Sequence, residues 1–138
     1  MKRLVFLLLA FATLVSCGNA QNKQPMNQSG KKAALEVLYF HGAQRCVTCR
    51  AIESLTKEVL DNEYADAMKS GNLVFKVIDI SKSENEAIAD KYEVAWSSLI
   101  LDKGGKVVNI SDLGFSYAKS QPETFKIKLR EELNKLLN

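Results

Sequence analysis

Two cysteines three residues apart, Cys46 and Cys49, are the side chains of this 138-residue chain best suited to chemistry. A thiolate can attack a disulfide sulfur, and a second nearby thiol can then resolve the mixed disulfide that forms. A bridge between these cysteines would close almost no loop, so stabilisation of the fold does not explain the pair. The spacing favours redox chemistry. The alternative is half of a four-ligand zinc site, although the chain offers no second CxxC and no pair of histidines to complete it.

The two thiols are predicted to have different roles, because a helical pattern begins near Cys46. The free N–H groups and the dipole at a helix N-terminus stabilise an anion, which is expected to lower the pKa of the Cys46 thiol. Arg45 and Arg50 add positive charge nearby. Cys49 lies one turn further along the same helix face. We therefore predict that Cys46 is the nucleophile and Cys49 the resolving thiol.

Two further side chains, each the only one of its type, lie near the cysteines or in a candidate loop. His41 precedes Cys46 by five residues and could shuttle protons or act as a third metal ligand with the cysteines. Its structural alternative is a strand-end residue that shapes the loop. Trp96 could form a wall of the cleft over the thiols, or it could simply cap the edge of the core.

The elements that must position these residues follow from the hydrophobic pattern. A capping box formed by Ser83 and Glu86 is expected to open the second helix. In chain order we predict a strand at 35–41, a helix from Cys46 to about Met68, a strand at 73–80, a helix from Ser83 to about Tyr92, a strand at 98–101, a turn at 102–105, a strand at 106–110, and a terminal helix from Pro122 with Phe125, Leu129, Leu133 and Leu136 on one face.

This β-α-β-α-β-β-α order predicts an α/β fold of three layers, α/β/α, around a mixed four-strand sheet. The segments VLYF, CVTC, FKVIDI and LILDKGGK, read in that order, resemble the thioredoxin superfamily from about Leu35 onward. The resemblance implies a thiol–disulfide oxidoreductase that uses no cofactor beyond a redox-active Cys46–Cys49 disulfide. It also implies client proteins with thiols or disulfides, and an upstream redox partner.

The chain departs from the family pattern near the cysteines. Ser97 takes the place of the usual cis-proline, and the peptide bond before it is expected to be trans, since a cis bond before a non-proline residue costs about 2.5–4 kcal/mol. The family's buried acid is matched to Phe40, so that acid is missing, while Lys76 matches the lysine that accompanies it. The dipeptide Val47-Thr48, which tunes redox poise in the family, is unlike the usual pairs.

The N-terminal segment is predicted to be an address and a tether. Lys2 and Arg3 precede an apolar run at 4–15, and the sequence Leu-Val-Ser-Cys that ends at Cys17 resembles the lipobox of bacterial lipoproteins. An ordinary secretory signal, with Cys17 a stray thiol, is the alternative. We expect a signal peptide at 1–16, a lipidated Cys17 with a flexible tether at 17–32, and one domain at 33–138. The domain would face the periplasm or the cell exterior.

Charge excludes one class of partner and leaves two other function classes to weigh. Removing residues 1–16 takes away two positive charges and no acids, so the net charge falls from +3 to +1. No basic stripe with interleaved aromatics is present, so nucleic acid is not expected as a partner. Besides redox activity, the sequence allows a metal-binding or delivery module using Cys46, Cys49 and His41, or a binding domain whose thiols are incidental.

Overall fold

The computed structural model describes residues 34–138. The predicted signal peptide, the lipidation of Cys17 and the tether lie outside these residues. Among residues 34–138, no helix is both long enough and apolar enough to span a bilayer.

The described part of the chain alternates short strands with helices on either side of them. The elements in chain order are β1 Leu35–His41, α1 Val47–Glu63, α2 Ala65–Lys69, β2 Leu73–Asp79, a 3-10 turn at Ser83–Asn85, α3 Glu86–Lys91, β3 Ser98–Lys103, β4 Lys106–Asn109, α4 Ser111–Tyr117 and α5 Pro122–Leu137.

The strands form one sheet in the order β2-β1-β3-β4. β1 runs parallel to β2 and antiparallel to β3, and β3 runs antiparallel to β4. The parallel pair follows from the helical crossover between β1 and β2, and the antiparallel pair from the tight turn between β3 and β4. This arrangement confirms the predicted α/β, thioredoxin-like fold with its mixed four-strand sheet.

Strand β1 supplies both cores, because successive side chains point to opposite faces of a sheet. Leu35, Val37 and Tyr39 are fully buried in the larger core, beneath α1, α4 and α5. Leu38 and Phe40 belong to the smaller core on the opposite face, with Ile78, Tyr92 and Ile100. The predicted apolar face of the terminal helix is confirmed, since its four large side chains all lie in the larger core.

The turn between β3 and β4 is tighter than predicted. β3 extends to Lys103, which pairs with Lys106, so only Gly104 and Gly105 remain in the loop. Both have positive φ, 63° and 103°, which is the requirement of the two-residue turns that match strand twist. The predicted turn residue Asp102 is therefore a buried strand residue, 2% exposed.

Two predicted helices differ in detail. The first helix is interrupted at Tyr64, whose φ of −121° and ψ of 19° end α1 before α2 begins. The Tyr64 hydroxyl donates to Asn134 on α5 at 2.9 Å, so the interruption joins α1 to the terminal helix. The predicted capping box was wrong: Ser83 starts a 3-10 turn, Glu86 opens α3, and neither helix start has a side-chain cap.

One helix, α4, was not predicted at all. It begins one residue after Ile110, whose N–H donates to the Leu99 carbonyl at 2.9 Å. The Ser111 hydroxyl accepts from the Leu99 N–H at 2.9 Å and donates to the Asn109 side chain at 2.6 Å. These bonds attach the start of α4 to the N-terminal end of β3.

Candidate functional site

The two cysteines lie where the central strand passes into the first long helix. β1 ends at His41, a loop at 42–45 follows, and Cys46 is the N-cap of α1 with extended backbone, φ −70° and ψ 164°. Cys46 and Cys49 form a disulfide, with their Cα atoms 5.0 Å apart. The structure thus brings the predicted catalytic pair together at a helix N-terminus.

The two sulfurs have different environments. Cys46 is exposed, whereas Cys49 is 6% exposed and belongs to the buried surface of α1. The Cys49 backbone N–H donates to the Cys46 sulfur at 3.0 Å, which is the bond expected of an N-cap side chain. No acidic residue lies in the first turn of α1. A negative charge on Cys46 would therefore accept the hydrogen bond from the Cys49 N–H and would meet no like charge from that turn.

Tyr39 contacts the resolving cysteine from the sheet. Its side chain is fully buried, and its hydroxyl donates to the Cys49 carbonyl oxygen at 2.7 Å. Burial raises the pKa of Tyr39, and interactions with Arg45 and Ser97 oppose that rise. The phenol therefore remains a neutral hydrogen-bond donor at neutral pH.

Arg45 joins the loop before Cys46 to both α1 and β1. Its guanidinium forms an ion pair with Glu53 on α1 and lies over the Tyr39 ring, 5.9 Å from the ring centre. The Arg45 side chain is about one-quarter exposed, at 26%. Such partial burial strengthens both contacts relative to fully solvated ones.

The loop that carries Trp96 and Ser97 lies at the same end of the sheet as the loop before Cys46. Ser98 begins β3 and pairs with Phe40 at the end of β1. Hydrogen bonding from the Ser97 side chain helps to lower the pKa of Tyr39, whose hydroxyl in turn donates to Cys49. This loop is thereby linked to the cysteines. No cis peptide bond occurs within residues 34–138, as predicted for Ser97. Trp96 is 72% exposed, so the alternative that it caps the core is wrong.

The contacts of His41 fit a strand-end residue that shapes the loop better than a proton shuttle or a metal ligand. Its Nδ1 lies 3.0 Å from the carbonyl oxygen of Gly42. The centre of its ring lies 6.1 Å from that of Tyr39, and the two ring planes are tilted by 31°. It also contributes to lowering the pKa of Asp79, whose main cause is hydrogen bonding from Ser81. Within residues 34–138, no group of three or more His, Cys, Asp or Glu side chains is arranged to hold a metal ion.

Phe40, the position matched to the family's missing acid, and its neighbour Tyr39 lie on opposite faces of the sheet. Phe40 lies on the α3 side of the sheet, with its ring 5.8 Å from that of Tyr92. The polar side chain that contacts Cys49 is Tyr39, on the α1 side. The alternation of side chains along β1 could have predicted this placement of Tyr39, because Leu35 and Val37 lie on the same face of the strand. Lys76 pairs with Glu36 at 2.7 Å on the surface.

The arrangement can perform thiol–disulfide exchange. An exposed sulfur at a helix N-terminus is accessible to a partner disulfide, and a buried sulfur bonded to it can close the ring again. The chain is thus a protein of thioredoxin-like fold with a CxxC pair, a combination that suggests redox activity.

Comparison with known proteins gives no family assignment. No protein-family model matches the chain, and no curated protein matches it. A solved structure of thioredoxin from Fasciola hepatica is 25% identical over 75% of this chain and 82% of that one, with a TM-score of 0.48. A structure described as a malarial protein is 19% identical over 56% of this chain and 80% of that one, with a TM-score of 0.43.

Proposed function

We propose that the protein is an extracytoplasmic, membrane-anchored thiol–disulfide oxidoreductase that acts as a reductase or electron relay on the cysteines of client proteins. The observation that carries the proposal is the Cys46–Cys49 disulfide at the start of α1, with the first sulfur exposed and the second buried. That asymmetry supports a nucleophilic Cys46 and a resolving Cys49.

The exchange has two steps in the reducing direction. The Cys46 thiolate attacks one sulfur of a client disulfide, a Cys46–client bond forms, and the other client sulfur leaves as a thiolate that takes up a proton. Cys49 then loses its proton and attacks the Cys46 sulfur, which expels the second client thiolate and leaves a Cys46–Cys49 disulfide. Two electrons have passed to the client, and an upstream dithiol must restore them.

Two exposed apolar side chains, one next to Cys46 and one on the loop before β3, support a protein client. Val47, next to Cys46, is 68% exposed, and Trp96, on the loop that carries Ser97, is 72% exposed. Large exposed apolar groups beside a reactive centre favour binding of another apolar surface. The client would place a disulfide against Cys46 while its neighbouring residues contact these side chains.

The membrane anchor and export rest on the N-terminal sequence alone. A positive start, an apolar run at 4–15 and Cys17 after a small residue support a lipidated Cys17, with residues 17–32 joining it to the domain. Several acyl chains give firm attachment, since each buried methylene contributes roughly 0.8 kcal/mol. The domain would then work in an oxidising space, where client cysteines need a reductant.

The proposal is tested by catalysed reduction of a protein disulfide, using the full chain in detergent and dithiothreitol as the electron source. Cys46→Ser is expected to remove nearly all activity, and pre-reduced Cys49→Ser, freed of dithiothreitol before mixing, to accumulate a mixed disulfide with the client. The matched control is Cys17→Ser, which changes the remaining cysteine and should keep full activity. Wild-type activity in the Cys46→Ser protein would refute the assignment.

The direction of electron flow is measured on the same protein. A reduction potential near that of thioredoxins, about −270 mV, would support a reductase or relay, whereas one near about −120 mV would indicate an oxidant. The metal-module alternative gains no support from residues 34–138, in which no three His, Cys, Asp or Glu side chains are grouped so as to hold a metal ion.

A further inference from the structure

Tyr39 lies between the central strand and the resolving cysteine, and the chemistry described so far gives it no role. We propose that Tyr39 is a positioning residue for Cys49: its hydroxyl fixes Cys49 at the place from which it attacks the mixed disulfide. This inference rests on the proposed function, because it concerns the second step of that exchange.

Tyr39 is a rigid anchor because its backbone is held from both sides. It pairs with Val77 on β2 and with Leu99 on β3, and its side chain is fully buried. The ring is flanked by the Arg45 guanidinium at 5.9 Å. The position of the hydroxyl is therefore set by the centre of the sheet, and not by the helix that it contacts.

The bond from Tyr39 is additional to those that make the helix. A helical carbonyl accepts from the N–H four residues later, and it has a second lone pair available. At Cys49 the hydroxyl of Tyr39 approaches the carbonyl oxygen at 2.7 Å. The first turn of α1 is thereby attached to β1 at the residue that must perform the resolving attack.

The attachment matters most when the disulfide is open. In the resting protein the covalent bond to Cys46 holds Cys49 in place. In the mixed disulfide, Cys46 is bonded to the client and Cys49 is a free thiol near a helix end, where turns fray. The Tyr39 bond then keeps Cys49 in reach while its sulfur attacks Cys46, the Cys46–client bond breaks, and the client sulfur leaves with the electron pair and takes up a proton from solvent.

Tyr39 holds Cys49 and does not take its proton. Because burial raises the pKa of the phenol, the hydroxyl stays protonated at neutral pH and cannot act as a base. The proton of Cys49 passes to solvent. The role of Tyr39 is therefore geometric, and its loss should slow the resolving step without changing the first attack.

The test separates those two steps with a symmetrical aromatic disulfide, 5,5′-dithiobis(2-nitrobenzoate). Each step releases one coloured thiolate, so rapid mixing with the reduced full chain, carrying Cys17→Ser, gives two phases. Tyr39→Phe keeps the ring and removes only the hydroxyl. We expect an unchanged first phase and a second phase slowed roughly three- to tenfold, as for the loss of one hydrogen bond.

The matched control is Tyr92→Phe. Tyr92 is also buried, and its hydroxyl donates to Asp102 at 2.7 Å, at the end of the sheet away from Ser98. Both phases of the Tyr92→Phe reaction should have the same rates as those of the parent protein. The same second phase in Tyr39→Phe as in Tyr92→Phe would overturn the inference. So would equal slowing of both phases, or a Tyr39→Phe protein that fails to fold when Tyr92→Phe folds.

Failure of the proposed function gives a different result. If the parent protein releases one equivalent of coloured thiolate and never a second, then Cys49 does not resolve the mixed disulfide, and the oxidoreductase assignment falls together with the role of Tyr39. Two equivalents from the parent, with identical kinetics in Tyr39→Phe, would remove the role of Tyr39 alone.

Discussion

Arg45, which precedes the exposed Cys46, forms an ion pair with Glu53 on α1, and the two charges should affect the reactivity of the Cys46 sulfur with opposite signs. A cation favours the thiolate, and an anion disfavours it. We expect Arg45→Gln to slow alkylation of reduced Cys46 by iodoacetamide at neutral pH, and Glu53→Gln to speed it. Each change should be about two- to fivefold, in keeping with a partly exposed charge pair.

A matched control for this measurement lies on the same helix. Lys57 lies eleven residues beyond Cys46, is exposed, and pairs with Asp61. At 1.5 Å of rise per residue it is roughly 16 Å away, beyond the screening length of about 8 Å at physiological salt. Lys57→Gln should leave the alkylation rate unchanged. Equal rates in Arg45→Gln and Lys57→Gln would show that Arg45 does not act on the thiolate.

Helix α4 packs against α1 through a glycine, and a larger side chain at this contact should destabilise the fold. A Cβ atom on Gly114 would lie 2.9 Å from Cδ1 and 3.0 Å from Cγ1 of Ile52, which is buried. Gly114→Val therefore forces Ile52 or α4 to move. We expect the free energy of unfolding to fall by about 1–3 kcal/mol, as for other overpacked sites, measured by urea denaturation.

The matched control for Gly114 is Ser116, an exposed residue of the same helix. Ser116→Val introduces the same side chain without the contact to Ile52 and should change the free energy of unfolding by less than about 0.5 kcal/mol. Ile52→Ala should also partly relieve the strain of Gly114→Val, because residues in contact couple non-additively. Additive effects of Gly114→Val and Ile52→Ala would contradict a direct contact.

The elements that the sequence predicts well are those in which several signals agree. β1 combines apolar and β-prone residues with a turn after them, and its bounds are as predicted. The terminal helix has Pro122 at its start and four apolar residues at helical spacing. Helix α4 was missed because Ser111, Asp112 and Gly114 are typical of loops. Its presence depends on tertiary contacts, among them the docking of Gly114 on Ile52 and the bond between Ser111 and Leu99.

In the site, too, the features set by local sequence were predicted and the contact between distant residues was not. The cysteine pair, its place at a helix start and the trans loop at Ser97 follow from spacing and local chemistry. The contact from Tyr39 to Cys49 does not, because it depends on which face of β1 lies under α1. Successive residues of a strand face opposite sides of the sheet, so Tyr39 lies under α1 while Phe40, matched to the family's missing acid, lies on the other side.

At the scale of the whole molecule, the membrane anchor is a separate prediction from the redox site. If Cys17 carries lipid, Cys17→Ser should move the protein from the membrane fraction to the soluble fraction of the cells that express it, and it should leave the activity of the Cys46–Cys49 pair intact. Conversely, Cys46→Ser should abolish activity and leave the protein in the membrane fraction. An unchanged distribution of Cys17→Ser would favour the ordinary secretory signal.

The two faces of the sheet are covered unequally, and polar residues occupy part of the thinner side. Helices α1, α4 and α5 cover one face, whereas the core on the opposite face includes only side chains of α3 and the residues that follow it. On that side Glu36 and Lys76, which lie on neighbouring strands, form an ion pair at 2.7 Å. Tyr92 and Asp102 complete the face with a hydrogen bond. The exposed Glu36–Lys76 pair allows this side of the sheet to meet solvent, whereas the Tyr92–Asp102 bond satisfies two buried polar groups.

Because tyrosines hold both sides of the sheet, the whole domain should lose stability in alkali. Burial is the main cause that raises the pKa of Tyr39, Tyr64 and Tyr92 above the ordinary value of 10.0. The folded protein therefore keeps protons that the unfolded chain releases above about pH 10, and its free energy of unfolding must fall as pH rises through that range. Below that pH these groups bind protons equally in both states and contribute no slope.

The measurement is urea denaturation of the oxidised protein between pH 7 and about pH 11, since the Cys46–Cys49 disulfide leaves neither of those thiols to titrate. Tyr39→Phe and Tyr92→Phe should each flatten the alkaline slope, because each removes one group that is protonated when folded and ionised when unfolded. An unfolding free energy that is constant or rises above pH 10 would mean that these phenols ionise as readily in the fold as in water. In that case the buried hydrogen bonds from Tyr39 to Cys49 and from Tyr92 to Asp102 could not be as tight as their distances of 2.7 Å indicate.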